Sequence, residues 1–541
     1  MGTGAGNLDA DIRLVDKASL PSQHVEYVSL SYRWGASNNL KTTNQTLGGH
    51  QRGIPVGALP RTLRDAVTVV RRLSMRYLWI DSLCIIQDNK ADWATEARYM
   101  GHIYMNSAFV IAAHAAQHAN HGFLEQSLAR PKAIPVGGRR EGGRYDAETA
   151  AYAGFQAWTD HTAERTGNGG DGQARPLDSD AFFVTESINL NGHLDTNSAL
   201  TSRGWVLQER ALARKTIHFC TNGAIYLETG SSLLSINDHP HRPSFQSGPQ
   251  GLKNALHAFY GGEPTPNPLP PSLLTNARKG WYDLVAQYST RSLTEPRDKL
   301  VAISGIARKL QPILDNDNYY CGLWERNIHT NLLWLRRVAR LTPSSFSARA
   351  RAPSWSWAAH DAAVQFPTWS HEGSDDVVQP EIRFGKVLNG ELPPSTDSLF
   401  DGWGMLELLG AVRVSTGLRF LAPARGKPHW TMGPNAVTMP YQTRFWGVAS
   451  DAGFRIGWAA FDWEGRDELD GNVDRITCFK VASFSNDRPK SGFKRGFMVL
   501  FAKLVNPELG IFGRVGMGQI MDASLFDDGD PSTRHERLVL V

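Results

Sequence analysis

Two short runs in this sequence put polar side chains where an α/β protein takes its ligands. Ser31-Tyr32-Arg33-Trp34 completes the apolar run that begins at Tyr27, and Asp81-Ser82 follows a second run, Tyr77 to Ile80. If both runs are parallel strands, these six residues lie at the carboxyl ends, the rim where open parallel sheets bind ligands. There Arg33 could pair with a diphosphate and Trp34 could stack on a base. Arg33 also suits a surface or structural salt bridge. Asp81 could equally cap the turn after it through Ser82 and Leu83. Glu209 has Arg203, Arg210 and Arg214 close in sequence, the setting of a structural ion pair.

Other reactive side chains make weaker patterns. His114, His118 and His121 fall at i, i+4 and i+7, which on a helix would align three imidazoles for zinc. No carboxylate or cysteine completes the set, and Ala119-Asn120-His121-Gly122 reads as a turn, so no metal is expected. Cys84 lies in the apolar run Leu83 to Ile86, where a thiol acts as a small hydrophobe. Gly2-Thr3-Gly4-Ala5-Gly6 follows no strand and is therefore not a dinucleotide loop.

The elements that must carry these residues alternate in type. Tyr27–Ser31 reads as a strand. Pro60 opens a helix with Leu63, Ala66, Val67, Val70 and Leu73 on one face. Tyr77–Ile80 is a second strand, and Asp88 or Asn89 caps a helix whose core face is Trp93, Ala97, Met100 and Tyr104. Residues 108–113 form a third strand. This order predicts a parallel α/β sheet. Residues 131–200 are rich in Gly, Arg, Asp and Ser and read as an insertion, with Gly167–Gly172 as loop. Leu200–Arg210 is helix-like, and Thr216–Cys220 and Ala224–Glu228 are strands. A Pro-rich linker spans Pro264 to Pro271.

Next comes a helical stretch with a stripe of Trp281, Leu284, Val285 and Tyr288. Thr294-Glu295-Pro296 reads as cap and first turn for a helix carrying Leu300, Ile303 and Ala307, and a third helix is expected over Leu323–Val338. From Ala352 onward the apolar runs are short and broken by Gly and Pro, which predicts a β-rich C-terminal domain. The expected division is an N-terminal extension over 1–24, an α/β domain over 25–230 with its insertion at about 131–200, a linker and helical region over 231–345, and the β-rich domain over 346–541.

Composition bounds the partners. At 541 residues two or three domains are expected. Lys+Arg 57 against Asp+Glu 53 leaves +4 with no basic block, so no nucleic-acid partner is indicated. Four scattered cysteines with no CxxC pair argue against a disulfide framework and for a reducing compartment. No apolar run is long enough to span a membrane, and Met1–Glu26 has no apolar signal core, so a cytoplasmic location is expected. Sixteen Trp is an unusual number, best explained as core anchors, with Trp34 alone at the expected ligand rim.

Four ordered motifs carry a resemblance. Tyr27-Val-Ser-Leu-Ser-Tyr-Arg-Trp-Gly35, Leu59-Pro-Arg-Thr-Leu63, Tyr77-Leu-Trp-Ile-Asp-Ser-Leu-Cys-Ile-Ile-Gln-Asp88 and Arg203-Gly-Trp-Val-Leu-Gln-Glu-Arg210 together resemble the fungal heterokaryon-incompatibility (HET) domain family. The resemblance covers roughly residues 11–230 and implies non-self recognition and programmed cell death. More distantly the HET domain is similar to TIR domains, which have a flavodoxin-like parallel sheet. Ser31-Tyr32-Arg33 resembles the end of the first TIR strand. Trp205-Val-Leu-Gln-Glu209 resembles the run in which a Trp precedes the NAD-cleaving glutamate by four residues. That likeness implies Glu209 as catalytic carboxylate, with NAD as substrate and no bound cofactor. The alternative implied by the same family is a non-enzymatic module that binds a recognition partner or self-assembles, and a third is a paralogue without death activity.

Overall fold

The computed structural model describes residues 10–21, 25–35, 40–125, 134–136, 155–158, 182–186, 198–221, 223, 225–230, 233–235, 249–261, 269–336, 351–366, 378–388, 404–414, 418–425, 444–450, 453–462, 476–485, 495–526 and 533–541. The Gly167–Gly172 run, residues 264–268 of the Pro-rich linker and residues 1–9 and 22–24 of the N-terminal extension lie outside these residues.

The first strand, β1 (Tyr27–Ser31), is buried at every position from Val28 to Ser31, as befits a strand covered on both faces. After α1 (Leu47–Arg52), helix α2 (Arg61–Arg72) turns Leu63, Ala66, Val67 and Val70 into the core. Leu73 departs from the expected stripe and is half exposed: it is the C-cap, and Ser74 after it takes a left-handed φ of 57° that ends the helix. β2 (Tyr77–Trp79) leads into the short helix α3 (Asp81–Cys84), and α4 (Lys90–Asn106) starts where Asn89 Oδ1 accepts from the Ala91 and Asp92 amides. β3 (Phe109–Ala112) completes the first unit.

Three short strands, β4 (Ile134–Val136), β5 (Phe155–Trp158) and β6 (Phe182–Glu186), pair antiparallel within the insertion. Helix α5 (Gly204–Leu212) follows, then β7 (Lys215–Phe219), β8 (Ile225–Thr229) and β9 (Leu233–Ser235). The N-terminal sheet has the order β2-β1-β3-β7-β8-β9. β2, β1, β3 and β7 are parallel, and β8 and β9 add antiparallel. The expected parallel α/β sheet with a long insertion is therefore present. β1 lies between β2 and β3, so the ends of all three converge on one edge.

The middle of the chain contributes α6 (Pro249–Tyr260), α7 (Pro271–Tyr288) and α8 (Asp298–Leu310). Trp281, Leu284, Val285 and Tyr288 are all buried on α7, and Pro271 is its first residue. α8 begins two residues after the Thr294–Pro296 run, which forms the preceding turn through the Asp298 amide on the Glu295 carbonyl. The helix expected over 323–338 does not form. In its place are β10 (Tyr319–Tyr320), β11 (Leu323–Trp324), the four-residue α9 (Ile328–Asn331) and β12 (Leu335–Arg336), which pairs with β13 (Val364–Gln365). The reason is in the burial: Leu332 to Leu335 are all buried and present no polar face, so they pack as a core crossing rather than a surface helix. Gly322, at φ 99° against the Trp357 ring, turns the chain where an L side chain would clash.

Strands β14 (Val378–Pro380) to β23 (Thr533–Leu540) build one ten-stranded, largely antiparallel sheet, the expected β-rich C-terminal part. One continuous apolar core runs from α5 through α6–α8 into this sheet, and Trp281, Trp324, Trp334, Trp355 and Trp357 are fully buried in it. Their indoles also bond: Trp334 Nε1 donates to the Trp355 carbonyl, Trp355 to Gly404 and Trp357 to Gly322, at 3.1, 3.2 and 3.0 Å. Among the described residues no helix is long and apolar enough to cross a membrane.

Candidate functional site

At the carboxyl edge of β1, β2 and β3 the six rim residues separate into two sets. Trp34 Nε1 donates to Asp81 Oδ2 at 2.9 Å, the Ser82 amide donates to Asp81 Oδ1 at 2.7 Å, and the Tyr32 hydroxyl donates to Ser82 Oγ at 2.9 Å. Tyr32, Trp34, Asp81 and Ser82 thus belong to one bonded rim, Ser31 Oγ is buried beside it without joining it, and Arg33 is exposed. Asp81 is the first residue of α3 and bonds the Ser82 amide but not that of Leu83, which donates to the Ile80 carbonyl, so its carboxyl faces Trp34 without capping the helix.

Glu209 arrives at the same place from α5. Arg203, the residue before that helix, donates from Nη1 to the Tyr32 carbonyl at 2.5 Å and so fixes the helix start against the end of β1. The Glu209 carboxyl is 2% exposed. Burial pushes its pKa up to about 7, against the pull of the Arg203 guanidinium and of the Ser31 and Tyr104 hydroxyls, and the Asp81 charge pushes the same way as burial. Asp81 is also raised by burial, with Arg203, the Trp34 indole N–H and the Ser82 amide opposing. Two carboxyls and one guanidinium therefore share a desolvated site. Asp81, with two N–H donors of its own, is the better provided of the two acids. An arginine does face Glu209, and that arginine is bonded to the end of β1.

Helix α5 is also gripped by the helical middle. Trp205 Nε1 donates to Asp298 Oδ2 at 3.2 Å, the Gly305 amide donates to Gln208 Oε1 at 3.1 Å, and the Gly204 and Ser292 amides bond across to the Ser292 and Ser202 carbonyls at 2.8 and 2.7 Å. Gly305 is required by proximity, since a Cβ there would lie 2.4 Å from Gln208 Oε1. Gly305→Val is expected to lower stability by roughly 1–3 kcal/mol through forced repacking, read as the midpoint of urea unfolding.

A second buried polar cluster was not legible as such in the sequence. Glu228 accepts from Arg210 Nε and His218 Nε2 at 3.1 and 3.0 Å, with Lys253 Nζ at 3.3 Å. His218 Nδ1 meets His114 Nε2 at 2.9 Å, and His114 Nδ1 meets Ser198 Oγ at 2.8 Å. His114 is thus committed to Ser198 and His218, while His118 and His121 pair edge-on with each other. The three do not align on a helix, because His114 lies two residues past the end of β3 and no helix follows it there. Among the described residues no group of three or more His, Cys, Asp or Glu is arranged to hold a metal ion. Cys84 is half-buried against the N-terminal core, and burial raises its thiol.

A mostly parallel α/β module with a buried acidic pair at its strand ends is the class that this geometry defines. Residues 27–209 match the family model described as heterokaryon incompatibility protein (HET), and this part of the chain is a HET domain. The match begins at the first residue of β1 and ends on Glu209. A HET domain implies heterokaryon incompatibility, a fungal form of non-self recognition. No curated protein and no solved structure matches the chain.

Proposed function

We propose that this HET domain drives cell death in the cytoplasm by hydrolysing NAD at the β1–β2 rim, with Glu209 as the catalytic carboxylate. The observation that carries the reading is the meeting of Glu209 with Asp81 and Arg203 at the carboxyl ends of parallel strands, where perturbed acids are concentrated in ligand sites. The TIR-like spacing from Trp205 to Glu209 points the same way.

The chemistry asks little of the protein. Nicotinamide leaves as a neutral base, so no strong acid is needed, and the transition state is an oxocarbenium-like cation at the ribose. An ionised carboxylate in a desolvated site stabilises such a cation far better than one in water. Trp34 supplies a ring face and Arg33 an exposed guanidinium for base and diphosphate. Because the step requires Glu209 ionised and its pKa is about 7, NAD consumption is expected to rise through neutral pH and level off above it. The test is nicotinamide release by the purified full chain, dispersed and assembled, from pH 5.5 to 9. A chain that kills cells and never consumes NAD in either state rules the reading out.

The deep burial of Glu209 favours a second reading, in which the domain is a non-enzymatic module that self-assembles or binds a recognition partner. In that case substitutions of exposed rim residues such as Arg33 abolish killing, and Glu209→Gln leaves it intact.

A further inference from the structure

Glu209 Oε2 and Ser31 Oγ are both buried side-chain atoms with no hydrogen-bond partner among the described residues. They nevertheless face each other: the Ser31 hydroxyl is close enough to favour the ionised form of Glu209, while no direct hydrogen bond of normal length joins them. Ser31 is 3% exposed and Glu209 2%, so both are largely shielded from bulk solvent. Leaving a buried donor or acceptor unmade costs about 1–3 kcal/mol, and native proteins meet such demands with protein groups or ordered water. Polar groups that face each other beyond direct bonding distance are where a bridging water is held. Of the other donors nearby, Trp34 is committed to Asp81, and the Tyr104 hydroxyl, which donates to the Leu30 carbonyl, also lies close enough to favour the ionised form of Glu209.

We infer that a water molecule bridges Ser31 Oγ and the Glu209 carboxyl, and that it is the nucleophile of the hydrolysis, with Ser31 as its positioning residue. The inference rests on the NAD reading for the water's role, and on the buried pair of polar atoms for its place. The step balances without a co-reactant. The C1′–N bond breaks and its electron pair leaves on the nicotinamide nitrogen. The water oxygen bonds C1′ of the ribosyl cation, and the water's proton passes to the Glu209 carboxylate and thence to solvent. One ionised carboxylate thus serves twice, first facing the cation and then accepting the proton, which suits a base poised near the operating pH.

The test has a structural and a chemical arm, both on the full chain. A high-resolution crystal structure is expected to show a water within hydrogen-bond reach of Ser31 Oγ and a Glu209 carboxyl oxygen. In NAD turnover with methanol added, Ser31→Ala is expected to raise the ratio of methyl ADP-ribose to ADP-ribose several-fold, since the methanol oxygen then competes with a water no longer held. Ser29→Ala removes a buried hydroxyl from the same face of β1 and controls for a change of fold; it is expected to leave the ratio at the parental value. An unchanged ratio in Ser31→Ala, or NAD consumption by a protein with no water at Ser31, overturns the inference and leaves the NAD reading standing. A bridging water in a chain that never consumes NAD overturns the nucleophile role together with that reading.

Discussion

Glu209→Gln is expected to abolish NAD consumption and to make the protein more stable at neutral and alkaline pH. The sign follows from where the proton is held. The folded pKa of Glu209 is raised to about 7 from an ordinary 4.5, chiefly by burial. The folded chain therefore binds that proton more tightly than the unfolded chain does. The stability this confers is fully present below pH 4.5, is lost as pH rises towards 7, and stays lost above it. At roughly 1.4 kcal/mol per pKa unit, the parent forfeits about 3 kcal/mol across that window. Glutamine does not ionise and forfeits nothing, so the difference in melting temperature between variant and parent should open between pH 4.5 and 7 and then plateau. Thermal melts at pH 5 and pH 8 measure it. The result separates the two readings that the sequence left for this residue. A structural partner of Arg203 would leave an uncompensated guanidinium when removed, and Glu209→Gln would then be less stable at pH 8, as breaking a buried pair generally is. A carboxylate kept ionisable at a cost in stability is what a functional site predicts.

The division between what could be read from the chain and what could not follows contact range. β1, α2, β2, α4 and β3 were legible because each announces itself locally, through an apolar run of strand length or a face at i, i+3 and i+4, with Asn89 marking a cap. The rim residues Ser31–Trp34 and Asp81–Ser82 were legible for the same reason, since strand ends locate themselves. That Arg203 ties Glu209 to Tyr32 was not legible, because the bond spans 171 positions in sequence. The cluster around Glu228 draws on Ser198, His114, Arg210, His218 and Lys253, from five separate elements or turns, and no spacing rule connects them. The misread stretch, 323–338, failed in a different way. Its apolar residues are dense enough to suit a helix, but Trp324 and Leu332 to Leu335 are buried on all sides, so periodicity carried no information there.

Removing residues 231–541 is expected to unfold the remaining HET domain rather than release it. The family match stops at Glu209, and the fold would invite a cut after β8. Helix α5 forbids it. Leu207, Ala211 and Leu212 on α5, and Met105 on α4, are buried in the core they share with α6–α8 and the C-terminal sheet, not in the core of the N-terminal sheet. Exposing Leu207, Leu212 and Met105 costs about 1.5–3 kcal/mol each, a sum comparable with the 5–15 kcal/mol by which whole domains are stable. The polar grip goes with it: Trp205 loses Asp298, Gln208 loses the Gly305 amide, and Glu228 loses Lys253. The expected outcome for a 1–230 fragment is aggregation, or a collapsed state that binds a hydrophobic dye and lacks near-ultraviolet circular dichroism. A fragment that remains monomeric with a cooperative melt would show that α5 holds to the N-terminal sheet alone. Should the fragment unfold as expected, Glu209 owes its place at the rim to the helical middle as much as to the HET domain that carries it. The acidic pair would then answer to any displacement of α8, since α5 bears Glu209 on one face and grips Gly305 with the next residue back, Gln208.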